Sequence, residues 1–164
     1  MRRTAQLLVV LSLMLALAQI AQGGTDIGIK LGIQTPSLTL QGEWDVSPEL
    51  TIGFFLETPL ESLVNLFTTQ TLSMTIGMTA KYRFTHIFPS FVPYLGLAAG
   101  FGVQSGVAVI NLDLLAGARW YPSPKFYVFS DVAFGIWPYD NLPWYSVLGR
   151  YKNLYLGFGV RLPF

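Results

Sequence analysis

The chain has 164 residues, ten of them basic and nine acidic, with one histidine and no cysteine. That balance leaves no basic face for nucleic acid, and the absence of thiols excludes disulfides, thiolate metal sites and a lipid-modified N-terminal cysteine. Hydrophobic residues make up 52% of the chain and charged ones 12%, yet no stretch reaches the roughly 20 apolar residues that a spanning helix needs.

The chain opens on MRRTAQLLVVLSLMLALAQIAQG, in which two arginines precede an apolar run from Leu7 to Ala18 and small residues follow at Ala21 and Gly23. This is the layout of a cleaved signal peptide, too short to serve as an anchor. Residues 1–23 are therefore expected to be removed on export, leaving residues 24–164 as one domain. Without Arg2 and Arg3, eight basic residues face nine acidic ones, a net charge near −1.

Beyond that point residues alternate at a period of two, with glycine, aromatic and β-branched types throughout. The pattern predicts eight strands, over 25–34, 37–46, 49–57, 73–84, 93–104, 107–121, 125–137 and 152–164. Prolines mark most of the breaks, where a hydrogen-bonded ladder has to stop. Each strand sorts by parity into an apolar and a polar face. Ile27, Ile29 and Leu31 oppose Asp26, Gly28 and Lys30, and Met74, Ile76 and Met78 oppose Thr75, Gly77 and Thr79. The last strand sets Leu154, Leu156, Phe158, Val160, Leu162 and Phe164 against Tyr155, Gly157, Gly159 and Arg161.

The apolar face is bulky and the other face is crowded with glycine. An eight-stranded barrel has an interior just wide enough for side chains to fill, so the bulky face should point outward. An outward apolar band is stable only in lipid, and a β-structure crosses lipid only as a closed barrel. The fold class expected is all-β, a closed eight-stranded antiparallel up-and-down transmembrane barrel, with strands about as long as a tilted crossing requires.

The inward set then holds Asp26, Glu43, Asp45, Glu57, Asp113 and Asp131 against Lys30, Lys81, Arg83, Arg119, Lys125 and Arg161, six acids and six bases. Charges in a narrow lumen have to be paired, because desolvation costs several kcal/mol each. These residues are read as an internal salt-bridge network rather than a catalytic cluster. Trp44, Tyr82, Phe84, Trp120, Phe126 and Phe164 lie near turns, where an interfacial girdle belongs.

These features together resemble the small eight-stranded bacterial outer-membrane barrels of the OmpA transmembrane domain and OmpX kind, over the whole segment after residue 23. Leu156, Phe158, Val160, Leu162 and Phe164 look like the signal that this group's barrel-insertion machinery reads, although Pro163 departs from the pattern by removing a backbone donor. The resemblance implies integral localisation in the outer membrane, with outer-membrane lipid and the insertion machinery as partners, a monomeric state and no cofactor. It also puts both termini in the periplasm and connections 35–36, 58–72, 105–106 and 138–151 outside.

In segment 58–72, Thr58 and Glu61 form a capping box around Pro59, and Leu60, Leu63, Val64 and Phe67 recur at helical spacing. A short amphipathic rim helix is expected there. Segment 137–151 carries Trp137, Tyr139, Trp144 and Tyr145, candidates for surface recognition as well as for interfacial anchors. His86, the single histidine, reads as a turn residue. The role expected is structural or surface recognition, without enzymatic activity. A small pore, a lipid-modifying barrel enzyme and a soluble periplasmic ligand-binding barrel stay open as alternatives, and the surface ligand is not specified.

Overall fold

The structure, a computed structural model, describes residues 25–68, 73–86, 90–104, 107–137 and 151–162. The expected signal segment lies outside them. Eight antiparallel strands run in chain order and close on themselves. They are β1 (Thr25–Gly32), β2 (Ser37–Asp45), β3 (Leu50–Pro59), β4 (Met74–Arg83), β5 (Phe91–Gln104), β6 (Val107–Ser123), β7 (Phe126–Trp137) and β8 (Tyr151–Leu162), and the helix α1 (Leu60–Thr68) follows β3. Closure is made by β1 and β8, paired from Thr25↔Leu162 to Gly32↔Tyr155. No strand edge is left open around the ring, which is the only way a sheet satisfies its backbone in lipid.

The two faces of the wall separate as the parity of the strands requires. Leu97 (48% exposed), Leu156 (50%) and Phe158 (53%) point out, whereas Lys30 (6%), Glu43 (1%) and Asp131 (0%) point in. The lumen is not lined by small residues alone, which corrects the expectation from bulk. Tyr94, Leu115, Tyr127, Phe129 and Tyr155 are buried inside it. Their room comes from the neighbouring strand. Tyr127 pairs with Gly159 and Phe129 with Gly157 across β7–β8, Tyr94 pairs with Gly117 across β5–β6, and Phe55 pairs with Gly77 across β3–β4. Each inward ring thus lies against a glycine in the register opposite, a device that seats an aromatic and pins the strand pairing together.

A Cβ added at Gly117 would stand 2.7 Å from Cζ of Tyr94, whereas one added at outward-facing Gly42 would meet nothing within 4 Å. Gly117→Ala is therefore expected to cost about 1–3 kcal/mol of stability by overpacking. Gly42→Ala should cost less than half of that, and urea unfolding of the two variants checks the contrast.

Local hydrogen bonds shape the ends. In the β2–β3 turn, Oγ of Ser47 accepts from the backbone N–H groups of Glu49 (3.2 Å) and Leu50 (3.0 Å), a Ser turn that holds Pro48 at the corner. At the opposite end, buried Asn153 clamps the β1–β2 connection: its Oδ1 accepts from the N–H groups of Gln34 (3.0 Å) and Thr35 (3.3 Å), and its Nδ2 donates to the Thr35 carbonyl (3.0 Å).

The helix forms, but not with the expected cap. Thr58 and Pro59 belong to the end of β3, and the Thr58 hydroxyl donates to the carbonyl of Ser73 (2.9 Å) rather than accepting from the first helical turn. The N–H of Leu60 donates to the Pro36 carbonyl instead (2.9 Å), tying the helix start to the β1–β2 connection. Ser62 is buried in the helix, while Leu60 and Val64 are exposed.

Candidate functional site

The chemistry of this chain is concentrated in the lumen, and its geometry follows from the register. Asp26 on β1 is the cross-strand partner of both Glu43 on β2 and Arg161 on β8. These positions all point inward, so three charged side chains converge near the end of the barrel that holds Thr25 and Leu162. Opposite them, Lys81 on β4 and Arg119 on β6 reach across the tube.

The result is a continuous alternating ladder. Arg83 Nη1 meets Asp45 Oδ1 at 2.9 Å, and Asp45 Oδ2 meets Arg161 Nη2 at 3.0 Å. Arg161 Nε meets Asp26 Oδ1 at 2.9 Å, and Asp26 Oδ2 meets Arg119 Nη1 at 2.8 Å. Arg119 also pairs with Glu43, whose other oxygen meets Lys81 Nζ at 2.7 Å. Aromatic faces support the cations from the side. Lys81 lies over Tyr94 (4.8 Å to the ring centre), Arg119 over Tyr127 (4.9 Å) and Arg161 over Tyr121 (5.7 Å), contacts that gain strength away from water.

A second group occupies the other half. Lys30 Nζ meets Asp131 Oδ2 at 3.1 Å and lies over Tyr155 at 4.2 Å. Lys152 Nζ meets Asp113 Oδ2 at 2.8 Å. Glu57 accepts from Ser37 Oγ (2.7 Å) and Tyr155 OH (3.0 Å). Arg119, Tyr127 and Asp131 are all at 0% exposure, so solvent reaches none of them from either mouth.

Of the charged residues expected inside, Lys125 is a correction. The strand β7 begins one residue later, so Lys125 sits in the β6–β7 turn with its side chain exposed. Lys152, not singled out from the sequence, takes the inward place beside Asp113. It falls at an irregularity where Ala133 pairs with Asn153 but Phe134 pairs with Tyr151. A bulge of this kind turns a side chain out of strict alternation, so Lys152, which shares parity with outward Leu156, reaches inward.

In β8, Leu156, Phe158 and Val160 are exposed on the outer wall and Leu162 is partly exposed; Phe164 lies outside the described residues. Trp137 ends β7, and Tyr139, Trp144 and Tyr145 lie outside the described residues. His86 is in the β4–β5 turn, exposed, with Nε2 3.5 Å from Glu49 Oε1. Among the described residues no group of three or more His, Cys, Asp or Glu side chains could hold a metal ion.

The outer wall is the second candidate surface. Ile76, Met78, Leu95, Leu97, Phe101, Val128 and Phe158 are exposed on it, and Tyr82, Phe91, Trp120 and Phe126 are exposed toward the turn end. Trp44 packs on Phe54 and Tyr82 on Phe84, each at 5.3 Å between ring centres. The belt runs around the barrel, far beyond the few hundred Å² of contiguous apolar surface that a soluble monomer carries.

No protein-family model and no curated protein matches the sequence. Solved structures do match in fold. The N-terminal β-barrel domain of Pseudomonas aeruginosa OprF superposes with a TM-score of 0.64 at 10% identity, covering 86% of this chain and 98% of that one. A de novo designed transmembrane β-barrel gives 0.60 at 12% identity, covering 85% and 96%. The Yersinia pestis outer membrane protein Ail, in a phospholipid bilayer nanodisc, gives 0.51 at 16% identity, covering 86% and 100%. The chain has the fold of the small eight-stranded outer-membrane barrels.

Proposed function

We propose that this chain is an integral outer-membrane barrel that acts without catalysis, as a structural element or as a surface-recognition protein. The observation that carries the membrane part is the inversion of the wall: large aliphatic and aromatic side chains outside, buried ions inside. In water such a wall would expose its belt at roughly 25 cal/mol per Å²; in lipid the same belt is in its preferred solvent. The fold neighbours support the location, since two of them are described as an outer membrane protein in a bilayer and as a transmembrane barrel.

Recognition would belong to the end away from the termini. There the helix-bearing connection 58–72 presents Leu60 and Val64, and the connection 138–151 brings the aromatic residues noted in the sequence. Both termini would lie in the periplasm, residues 1–23 would be removed on export, and Leu156, Phe158, Val160, Leu162 and Phe164 would serve the insertion machinery. Conduction is disfavoured by the burial of Arg119 and Tyr127 in the lumen, both at 0% exposure.

The test is extraction. The protein should stay with membranes washed in alkaline carbonate, and a detergent-solubilised sample should change its gel mobility on boiling. Release by carbonate, or a monodisperse sample without detergent, would overturn the membrane reading. Planar-bilayer recording should be silent, and a discrete conductance would overturn the closed lumen.

A further inference from the structure

The ladder has an odd number of rungs. Arg83, Asp45, Arg161, Asp26, Arg119, Glu43 and Lys81 alternate with a cation at each end. Four bases therefore face three acids in the half of the lumen nearer the termini. The other half holds Lys30 and Lys152 against Glu57, Asp113 and Asp131. Among the described residues the lumen charge is thus divided along its axis, with one positive charge in excess toward the turn end. An unmatched charge partly removed from water is costly and attracts a counter-ion.

The place for one exists. A cavity of about 800 Å³ opens at this mouth, lined by Asp45, Arg83, Thr85, Ser90, Tyr121 and Arg161 among others. Arg161 commits Nε and Nη2 to Asp26 and Asp45, which leaves Nη1 for another acceptor on a side chain that is 33% exposed. Arg83 has a side chain only 5% exposed, with Nη1 on Asp45 and Nη2 donating to the carbonyl of Pro48 (3.0 Å); its buried Nε finds no partner among the described residues, nor does Oγ1 of Thr85. The one acid of the lining, Asp45, is already held by both guanidinium groups. Glu49 in the neighbouring turn accepts from Ser47 Oγ (3.3 Å), and exposed Lys125 in the β6–β7 turn carries the opposite charge at the same end.

We propose that this mouth binds a phosphate-bearing ligand, with Arg161 and Arg83 as its guanidinium donors and the hydroxyls of Thr85, Ser90 and Tyr121 around it. A tetrahedral oxyanion offers several acceptors at once, enough to take one remaining donor from each guanidinium group together with the surrounding hydroxyls. The phosphate has two possible sources, a free phosphate compound or the headgroup of an anionic phospholipid. Trp120, Tyr82 and Phe126, exposed on the outer wall at the same end, put this mouth at headgroup height. The anion site stands on the lumen geometry alone; only the lipid source rests on the membrane reading.

The experiment uses the folded protein in maltoside micelles, which carry no phosphate, at constant ionic strength in chloride. Inorganic phosphate is titrated in one arm and micelles doped with phosphatidylglycerol in the other, and the side-chain Nε–Hε resonances of Arg83 and Arg161 are followed by NMR. Saturable shifts in either arm support the site, and which arm responds names the source. Arg161→Gln should weaken the response about tenfold, the loss of a charge-assisted hydrogen bond. Lys152→Gln, at the far end, should leave it unchanged. Arg83→Gln is scored only after its heat-dependent gel shift shows that it folds, and Arg161→Gln keeps the test decisive if it does not. No saturable shift in either arm, or equal weakening by Lys152→Gln, would overturn the proposal.

Discussion

Glu43→Gln lowers the unfolding free energy of the barrel by about 3–5 kcal/mol, the cost of breaking a buried pair from one side. Glu43 joins Arg119 to Lys81, and all three side chains are at most 1% exposed. Neutralising it leaves the buried Lys81 ammonium with an amide oxygen and the Tyr94 and Phe129 rings in place of a carboxylate and takes one of two carboxylates from Arg119. Replacing both partners, as in Glu43→Met with Lys81→Met, should recover part of the loss, because apolar substitutes remove the desolvation penalty together with the attraction. Lys152→Gln is the contrast. Its pair with Asp113 is 38% exposed on the lysine side, so solvent screens it and less than about 1 kcal/mol is expected. Urea unfolding in vesicles, read by gel mobility, ranks the variants. A Glu43→Gln loss no greater than that of Lys152→Gln would show that the ladder does not hold the barrel together.

The parity of the strands was open to inspection in the sequence because a closed barrel wall has only two faces and the strands alternate between them. That is why Asp26, Lys30, Glu43, Lys81 and Arg119 could be assigned to one face from position alone. Alternation fails where the ladder does. Lys125 shares parity with Tyr127 and Asp131, but the strand starts at Phe126, and a residue in a turn has no face. Lys152 shares parity with Leu154 and Leu156, but the irregularity between Ala133 and Phe134 frees it to meet Asp113. Among the described residues the exchange of one lysine for the other keeps the interior at six acids and six bases, so the balance inferred from a partly wrong set holds for them.

Register was the harder part to read. Glycines on the inward face look like an instruction to keep the lumen small, yet Gly159, Gly157 and Gly117 are seats for Tyr127, Phe129 and Tyr94 on adjacent strands. Nothing within one strand reveals which residue of the next stands opposite. The Asn153 clamp is hidden for the same reason, since its partners Gln34 and Thr35 are 119 and 118 positions away. The helix cap was lost to tertiary competition: Thr58 carries the right side chain for a cap, but β3 runs through it and its hydroxyl donates to the Ser73 carbonyl instead. Local signals placed elements and faces; the contacts that couple them are long-range by construction.

Leu97→Arg separates lipid from water as the outer solvent by the sign of its effect. Leu97 is in the middle of β5, 48% exposed, paired with Ala80 on one side and Leu114 on the other. If its surroundings are acyl chains, an arginine there costs about 2–4 kcal/mol of folding free energy, the penalty found at the midplane of such barrels, while near an interface the same change costs about 0–1 kcal/mol. Val46→Arg, at the turn end and 54% exposed, supplies the interfacial comparison. Leu97→Ala isolates the packing lost with the side chain from the cost of the charge. Were the outer solvent water, Leu97→Arg would fold at least as well as Leu97→Ala, since a guanidinium on a wet surface loses no hydration and masks an apolar patch. The depth dependence is the decisive reading, because strain or lost packing has no reason to follow height along the barrel, whereas the dielectric of a bilayer does. Equal costs for Leu97→Arg and Val46→Arg in vesicles would place both residues in the same medium and remove the membrane from this account.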